Sequence, residues 1–472
     1  NLFMVGDEDQ SIYGFRAAYP EALLTFEKNY PDAKVLLMEE NFRSDARIVL
    51  AADRFIQKNT LRHEKHMKAA RKPASDIREI SLRSRKAQYT YLAKLAEGCT
   101  SQTAILYRDN ECILPLVDLL ERNGIPYQMR NAELSFFSHR TILDIINIIK
   151  LAQKPMDTEA FLQIYYKIGT YLRKQDAIRI ARISEEKRIP VLDVAAEDPD
   201  LNGHVLGSVR SMRTHLQNLL QDSGERALYR IMQYMGYQEY LNRSGLSDSK
   251  LEILRILGSR ADSPMELAER LEQLKVLIRE KEPDRKCPLI LSTIHASKGL
   301  EYDSVYLIDV ADGILPESIP QNLHQASAEE LKAYEEERRL FYVGVTRAKD
   351  HLTLFTTNRP STFCSEFLGK SSVTEEGRKN LMPVESRISR TFKQARPYAA
   401  VAGIRQTKAS EELYFRLKEE LGTGVIVEHK KYGEGVVTQL DDRLVHIMFQ
   451  DDTLRMMDLK ILANAGLLKV KK

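Results

Sequence analysis

Strand-like and helix-like stretches alternate along this chain, stop alternating between residues 137 and 282, and then resume. That interruption constrains the fold more than any other feature. Residues 103–107 (TAILY) read as a strand, 113–123 as a helix stopped by Gly124, and 125–129 as a second strand. Further upstream, 20–29 reads as a helix with Pro20 near its start, and 45–58 as another. The apolar runs 2–5 (LFMV) and 35–38 (VLLM) are predicted to be short buried strands. Between 137 and 282 strand signals nearly vanish, and Leu, Ile, Arg, Glu and Gln recur at helical spacing, as in 211–222 and 265–280. Strand signals return at 289–294 (LILSTI), 304–310 (SVYLIDV) and 351–357 (HLTLFTT), with a long helix predicted over 327–343. The order predicts an α/β domain with a mostly parallel sheet, interrupted by a helical insertion and completed after it.

Residues 370–420 are polar, charged and nearly aperiodic, as expected of a flexible linker. Residues 424–460 alternate in short runs split by Gly433-Glu434-Gly435, Asp441-Asp442 and Asp451-Asp452, which predicts a small antiparallel β-barrel. No apolar run reaches the length of a membrane span. The four cysteines (Cys99, Cys112, Cys287, Cys364) are scattered, which suggests neither a metal site nor disulfides and fits a reducing cytoplasm. A net charge of +3 gives no global sign of nucleic-acid binding, so any basic surface must be local. The chain opens on an apolar stretch without Met, and we expect further protein upstream.

Four segments carry candidate chemistry. Val5-Gly6-Asp7-Glu8-Asp9-Gln10-Ser11-Ile12-Tyr13-Gly14-Phe15-Arg16 puts a Gln after a predicted strand, at the sheet edge where ligands of α/β folds bind, with Phe15 and Arg16 following to stack a base and hold a phosphate. Alone it reads more simply as a solvated turn. Asn41-Phe42-Arg43-Ser44 offers Arg43 to a phosphate, or else Ser44 as a helix cap. Thr293-Ile294-His295-Ala296-Ser297-Lys298-Gly299-Leu300-Glu301-Tyr302 suits a phosphate cradle, with Glu301 able to accept from a ribose hydroxyl. In Glu335–Asp350, i,i+4 pairs such as Glu335 with Arg339 account for a charged helix, but not for Val343-Gly344-Val345-Thr346-Arg347-Ala348, where Arg347 can reach across a cleft.

In order and type these segments resemble motifs III to VI of UvrD/Rep/PcrA-type superfamily-1 DNA helicases, with the helical insertion in that family's place. The resemblance implies a two-lobed RecA-like motor that moves 3′ to 5′ on single-stranded DNA, using ATP and Mg²⁺ in the full-length protein. Residues 1–38 would end the first RecA-like domain. Residues 39–136 and 286–370 would form the second, 137–285 the helical accessory insertion that meets single-strand/duplex junctions, 371–423 a linker, and 424–472 a Tudor/SH3-like barrel. Carried over by motif, Gln10, Arg43 and Arg347 would face the γ-phosphate, Phe42 the adenine and Glu301 the ribose. Tyr13, Phe15, Arg16 and His295 would face the DNA strand. The stretch 427–437 resembles the start of the family's terminal barrel and implies RNA polymerase as a partner, with Lys430, Lys431 and Tyr432 as its contact surface.

Departures accompany the resemblance. The family usually has Trp at the position of Phe15 and Glu at that of Thr141, and its duplex-contact loop leaves only Tyr166-Lys167-Ile168-Gly169-Thr170 as a trace. No G-x-x-x-x-G-K-[ST] string occurs between residues 1 and 472, and no acidic pair is expected here to hold Mg²⁺, so this chain alone is expected neither to bind ATP tightly nor to hydrolyse it. The alternative is a non-catalytic adaptor for DNA or RNA polymerase. A helicase–nuclease fusion is disfavoured because a small barrel stands where the nuclease would be.

Overall fold

The computed structural model describes residues 3–14, 21–130, 135–245, 249–282, 284, 286–323, 325–359, 361–370, 421, 425–430, 432–440, 444–449, 454–459, 462 and 468–470. The chain divides into two compact units, Asn1–Arg378 and Lys379–Lys472.

Among its described residues the first unit holds eight strands: β1 (Glu40–Asn41), β2 (Lys68–Ala69), β3 (Arg78–Leu82), β4 (Thr103–Tyr107), β5 (Gln128–Met129), β6 (Leu289–Thr293), β7 (Tyr302–Leu307) and β8 (Ala348–Thr357). Six of them form one sheet in the order β3-β8-β7-β4-β6-β5, and every neighbouring pair is parallel. Every residue of β4 and β6 is buried, because helices cover both faces of the sheet there. Parallel neighbours need long crossovers, and the connection from β5 to β6 is the insertion itself, all helical among its described residues.

The helix Ala46–Ile56 starts at Asp45, whose side chain caps the Arg47 N–H, and it buries Ile48, Ala52, Phe55 and Ile56 against the sheet. Phe55 meets Phe341, Phe363 and Phe367 at ring separations of 4.9, 5.3 and 6.0 Å. The long helix Ala328–Val345 begins with a reciprocal Ser327–Glu330 capping box. It carries Arg347, just past its end, to the foot of β8.

Two sequence expectations fail at the start of the chain. Of the run expected at 2–5, the described residues 3–5 are not a strand, nor are 35–38: Phe3 is 88% exposed, Met38 86% and Leu36 74%. A buried strand must pair its N–H and C=O groups, and neither segment has a partner strand among the described residues. Elsewhere the predicted strands shift by a few residues. The strand expected at 125–129 shrinks to β5, that at 304–310 is β7, and Ile294 begins a short helix instead of ending β6.

The second unit contains β9 (Ile426–His429), β10 (Gly433–Leu440), β11 (Leu444–Phe449), β12 (Leu454–Asp458) and β13 (Leu468–Val470), an antiparallel sheet in the order β12-β11-β10-β9-β13. Its inner face buries Val427, Val437, Val445, Ile447 and Phe449. A Cβ on Gly435 would stand 2.5 Å from Ile447 Cγ2 and 2.8 Å from the Met448 carbonyl oxygen, so this crossing needs glycine. The linker expected at 371–423 lies outside the described residues, apart from Leu421.

Candidate functional site

The turn Glu8–Gln10 is a short 3₁₀ helix capped by Asp7, whose Oδ1 accepts from the Asp9 N–H at 3.1 Å. The turn presents Gln10 inward. Gln10 Nε2 donates to Asp7 Oδ2 at 2.6 Å, and Gln10 Oε1 accepts from Arg347 Nη2 at 3.3 Å.

Arg347 is only 1% exposed. Its Nε donates to the Val343 carbonyl at 3.0 Å and its Nη1 to the Leu300 carbonyl at 3.1 Å, and no carboxylate pairs with it among the described residues. Burial, then the neighbouring Arg43 charge, pulls its pKa down to about 10. It is still charged at neutral pH, but it lacks the anion that a buried guanidinium ordinarily has.

Arg43 stands on a turn built by Asn41, whose Oδ1 accepts from the backbone N–H of both Arg43 and Ser44 at 3.0 Å. Ser44 Oγ donates to the Ala348 carbonyl at 2.6 Å, and the Asp45 N–H to the Lys349 carbonyl at 2.7 Å. These bonds fasten the Arg43 turn to the foot of β8, next to Arg347. Arg43 Nε in turn donates to Glu301 Oε2 at 2.9 Å, and Lys349 Nζ lies 3.2 Å from Glu301 Oε1. The Arg43 hydrogen bond, then that of Lys349, holds the Glu301 carboxyl below its usual range. Gln10, Arg43, Glu301 and Arg347, far apart in sequence, therefore form one cluster. Phe42 sits beside it, 71% exposed.

Tyr13 and His295 also meet: the Tyr13 hydroxyl donates to the His295 carbonyl at 3.1 Å, with ring centroids 6.0 Å apart. Lys298 Nζ lies 5.1 Å from the Tyr13 ring, and burial lowers its pKa. Phe15 and Arg16, the other two residues expected at the nucleic acid, lie outside the described residues. In the insertion, Lys167 is buried against Asp144 at 2.5 Å, and the Tyr237 hydroxyl donates to Asp144 at 2.9 Å. In the second unit, Tyr432 stacks on His429 at 4.7 Å and packs against the inner core, while Lys431 lies outside the described residues. Among the described residues no group of three or more His, Cys, Asp or Glu could hold a metal ion, and no helix is long and apolar enough to cross a membrane.

Nothing in the sequence singles out Lys349, which pairs with Glu301 two residues past Arg347, or Arg62 and Lys65. Arg62 holds Asp9 through Nε and Nη2 at 3.0 and 2.9 Å. Lys65 Nζ lies 2.8, 3.2 and 3.3 Å from Asp7, Glu8 and Asp9. Arg62 and Lys65 occupy a loop without periodicity, so only their place in space reveals them.

Burial raises the pKa of Glu8, but the His63 backbone N–H and Lys65 outweigh it, and the carboxyl ends below its ordinary value of 4.5. A depressed carboxyl stabilises the fold above its unfolded pKa, and the stabilisation is lost as pH falls through the folded value. Residues 7–13 are therefore expected to come away from the loop around Lys65 only below pH 4.5. Backbone hydrogen exchange measured down the pH scale reads this. Protection of 8–11 that stays constant to about pH 2 rules out a carboxylate clamp.

The family model described as "UvrD-like helicase C-terminal domain" matches residues 36–359, and "UvrD/REP helicase N-terminal domain" matches residues 1–31. YjcD of Bacillus subtilis is 30% identical over 371 residues, covering 75% of this chain and 48% of its own length. The ATP-dependent DNA helicase PcrA of Staphylococcus epidermidis is 27% identical over 478 residues, covering 94% of this chain and 63% of PcrA. The ATP-dependent DNA helicase Rep of Escherichia coli is 29% identical over 395 residues, covering 77% of this chain and 56% of Rep. This chain thus spans about half to under two thirds of these curated relatives.

Proposed function

The chain belongs to the UvrD/Rep/PcrA-type superfamily-1 helicases, and on that premise we propose that it supplies the later half of an ATP-driven motor that moves 3′ to 5′ along single-stranded DNA. The observation that carries the reading is the buried, carboxylate-free guanidinium of Arg347, hydrogen-bonded to Gln10 and next to Arg43. Such a group fits a terminal phosphate: a planar fork, already desolvated, whose missing counter-charge a triphosphate would provide. Arg43 would add a second cation and Glu301 an acceptor for a ribose hydroxyl, with Phe42 exposed beside them for an adenine. ATP with Mg²⁺ is the cofactor of this reading. The present residues suit its phosphate end.

Tyr13, His295 and Lys298 support contact with the DNA strand, since aromatic rings beside a cation suit stacked bases and phosphates. Phe15 and Arg16 belong to this proposal by motif alone, as do duplex engagement by residues 137–285 and a barrel in the second unit that docks RNA polymerase. On this reading residues 1–38 close the first RecA-like lobe, and 39–136 with 286–370 make the second.

Steady-state hydrolysis by the full-length protein, with and without single-stranded DNA, tests the proposal alongside strand separation on 3′-tailed and 5′-tailed duplexes. DNA-stimulated hydrolysis and opening of the 3′-tailed substrate alone are expected, and residues 1–472 in isolation should show neither. A full-length protein that binds DNA yet hydrolyses nothing is instead the adaptor.

A further inference from the structure

Three consecutive carboxylates, Asp7, Glu8 and Asp9, occupy one turn, and Glu8 and Asp9 are 4% and 2% exposed. Like charges so close and so dry are tolerated only when cations meet them. Both cations come from one loop between the helix Ala46–Ile56 and β2: Arg62 on Asp9, and Lys65 on all three. Asp7 is the pivot. Its Oδ1 takes Lys65 Nζ at 2.8 Å while its Oδ2 takes Gln10 Nε2 at 2.6 Å. The Gln10 amide is therefore satisfied in one orientation only, with its NH₂ on the carboxylate and its oxygen on the Arg347 guanidinium. Turned over, it would set oxygen against carboxylate and NH₂ against cation.

We infer that Lys65 is a positioning residue for the terminal-phosphate site: by holding Asp7 it fixes the direction in which Gln10 presents its amide to Arg347. The inference rests on the proposed roles of Gln10 and Arg347. The chain Lys65–Asp7–Gln10–Arg347 spans from the loop before β2 to the foot of β8, so it ties the Gln10 turn to the same body that carries both arginines. Arg62 shares the load by neutralising Asp9. Together the turn's three negative charges face Arg62, Lys65 and, through Gln10, Arg347. Without Lys65, Asp7 keeps Gln10 and the Asp9 N–H but loses the cation that ties it to the loop before β2, so the Gln10 turn can shift as a unit and carry the amide out of line with Arg347. Nucleotide affinity, set by contacts elsewhere, should barely change, whereas the reacting arrangement is reached less often.

The test uses Lys65→Met and the conservative Lys65→Arg. In the full-length protein, Lys65→Met is expected to lower kcat for DNA-stimulated hydrolysis about tenfold with KM for ATP changed less than about twofold, and Lys65→Arg to recover most of the loss. In the chain itself, Lys65→Met is expected to speed exchange of the Asp9, Gln10 and Ser11 amides about tenfold without touching the helix Ala46–Ile56. Unchanged kcat overturns the inference. So does a loss that Arg does not recover and that comes with faster exchange throughout, which marks general loosening. Absent hydrolysis in the unsubstituted full-length protein sinks the motor reading instead; the exchange measurement then decides separately whether Lys65 holds the turn.

Discussion

Replacing Arg347 with Ala in the full-length protein is expected to lower kcat for DNA-stimulated ATP hydrolysis by about 10³-fold or more. Its guanidinium lies within hydrogen-bonding range of Gln10 Oε1, at 3.3 Å, and has no carboxylate of its own among the described residues. The phosphate would therefore be its first full counter-charge, and an arginine placed in this way acts mainly on charge that develops during transfer. Its depressed pKa, about 10, expresses the same shortage, and an arriving anion should raise it. The Arg347→Lys variant keeps a charge but not the fork that reaches Val343, Leu300 and Gln10 together, so it should recover only a small part of the rate. Folding is a separate matter. The Ala variant takes the donor from the Leu300 carbonyl and leaves the Val343 carbonyl to Thr346 Oγ1, costing about 1–3 kcal/mol, which a thermal melt would detect. Hydrolysis by a folded Arg347→Ala protein within about tenfold of the parent removes Arg347 from the reaction.

Much of this site can be read from the chain because its residues lie on short strings whose order is itself informative. Glu301 and Arg347 immediately precede β7 and β8, neighbouring parallel strands, so topology sets both at one edge, whereas Arg43 follows β1 of the separate two-stranded sheet and is fastened there by the Ser44 and Asp45 bonds to Ala348 and Lys349. The cations that hold the Gln10 turn are different. Arg62 and Lys65 lie in a loop where neither periodicity nor turn chemistry distinguishes them from solvated residues. The runs 2–5 and 35–38 mislead for a related reason: apolar sequence reports a tendency to be buried, while a strand also needs a neighbour, which composition does not reveal. β3 is hard to read because it is an edge strand whose one face carries Arg78 with Ile80 and Leu82, and whose other carries Glu79 and Ser81. The insertion is recognisable as helical, but nothing in its periodicity announces the buried Lys167–Asp144 pair.

Asp309→Ala is expected to destabilise the first unit by about 3–5 kcal/mol, the usual result of removing one partner from a buried ion pair. Asp309 follows β7, is 1% exposed, and takes both Arg85 Nε and Nη2, at 3.0 and 2.6 Å. Gln88 completes the arrangement, donating from Nε2 at 2.8 Å and accepting the Asp309 backbone N–H at 3.1 Å. Burial works against the Arg85 charge, but Asp309 more than compensates, and the Arg85 pKa lies well above its ordinary value. Without Asp309 that charge is stranded at the start of the helix Arg85–Glu97. It would have only Glu252 of the insertion, 3.2 Å away and 37% exposed. The backbone points the same way. Asp309 has φ +56°, where Asn and Gly are tolerated better than Ala. Asp309→Asn should therefore fall between parent and Ala, keeping the conformation but losing the charge. Asp309→Gly relieves the backbone but still strands Arg85, so it should remain within about 1–2 kcal/mol of Ala. Glu252→Gln, at the exposed end of the network, should cost under about 1 kcal/mol. Urea unfolding of the four variants followed by circular dichroism orders them. A Glu252 variant as damaged as the Ala variant would move the anchor from the sheet edge to the insertion.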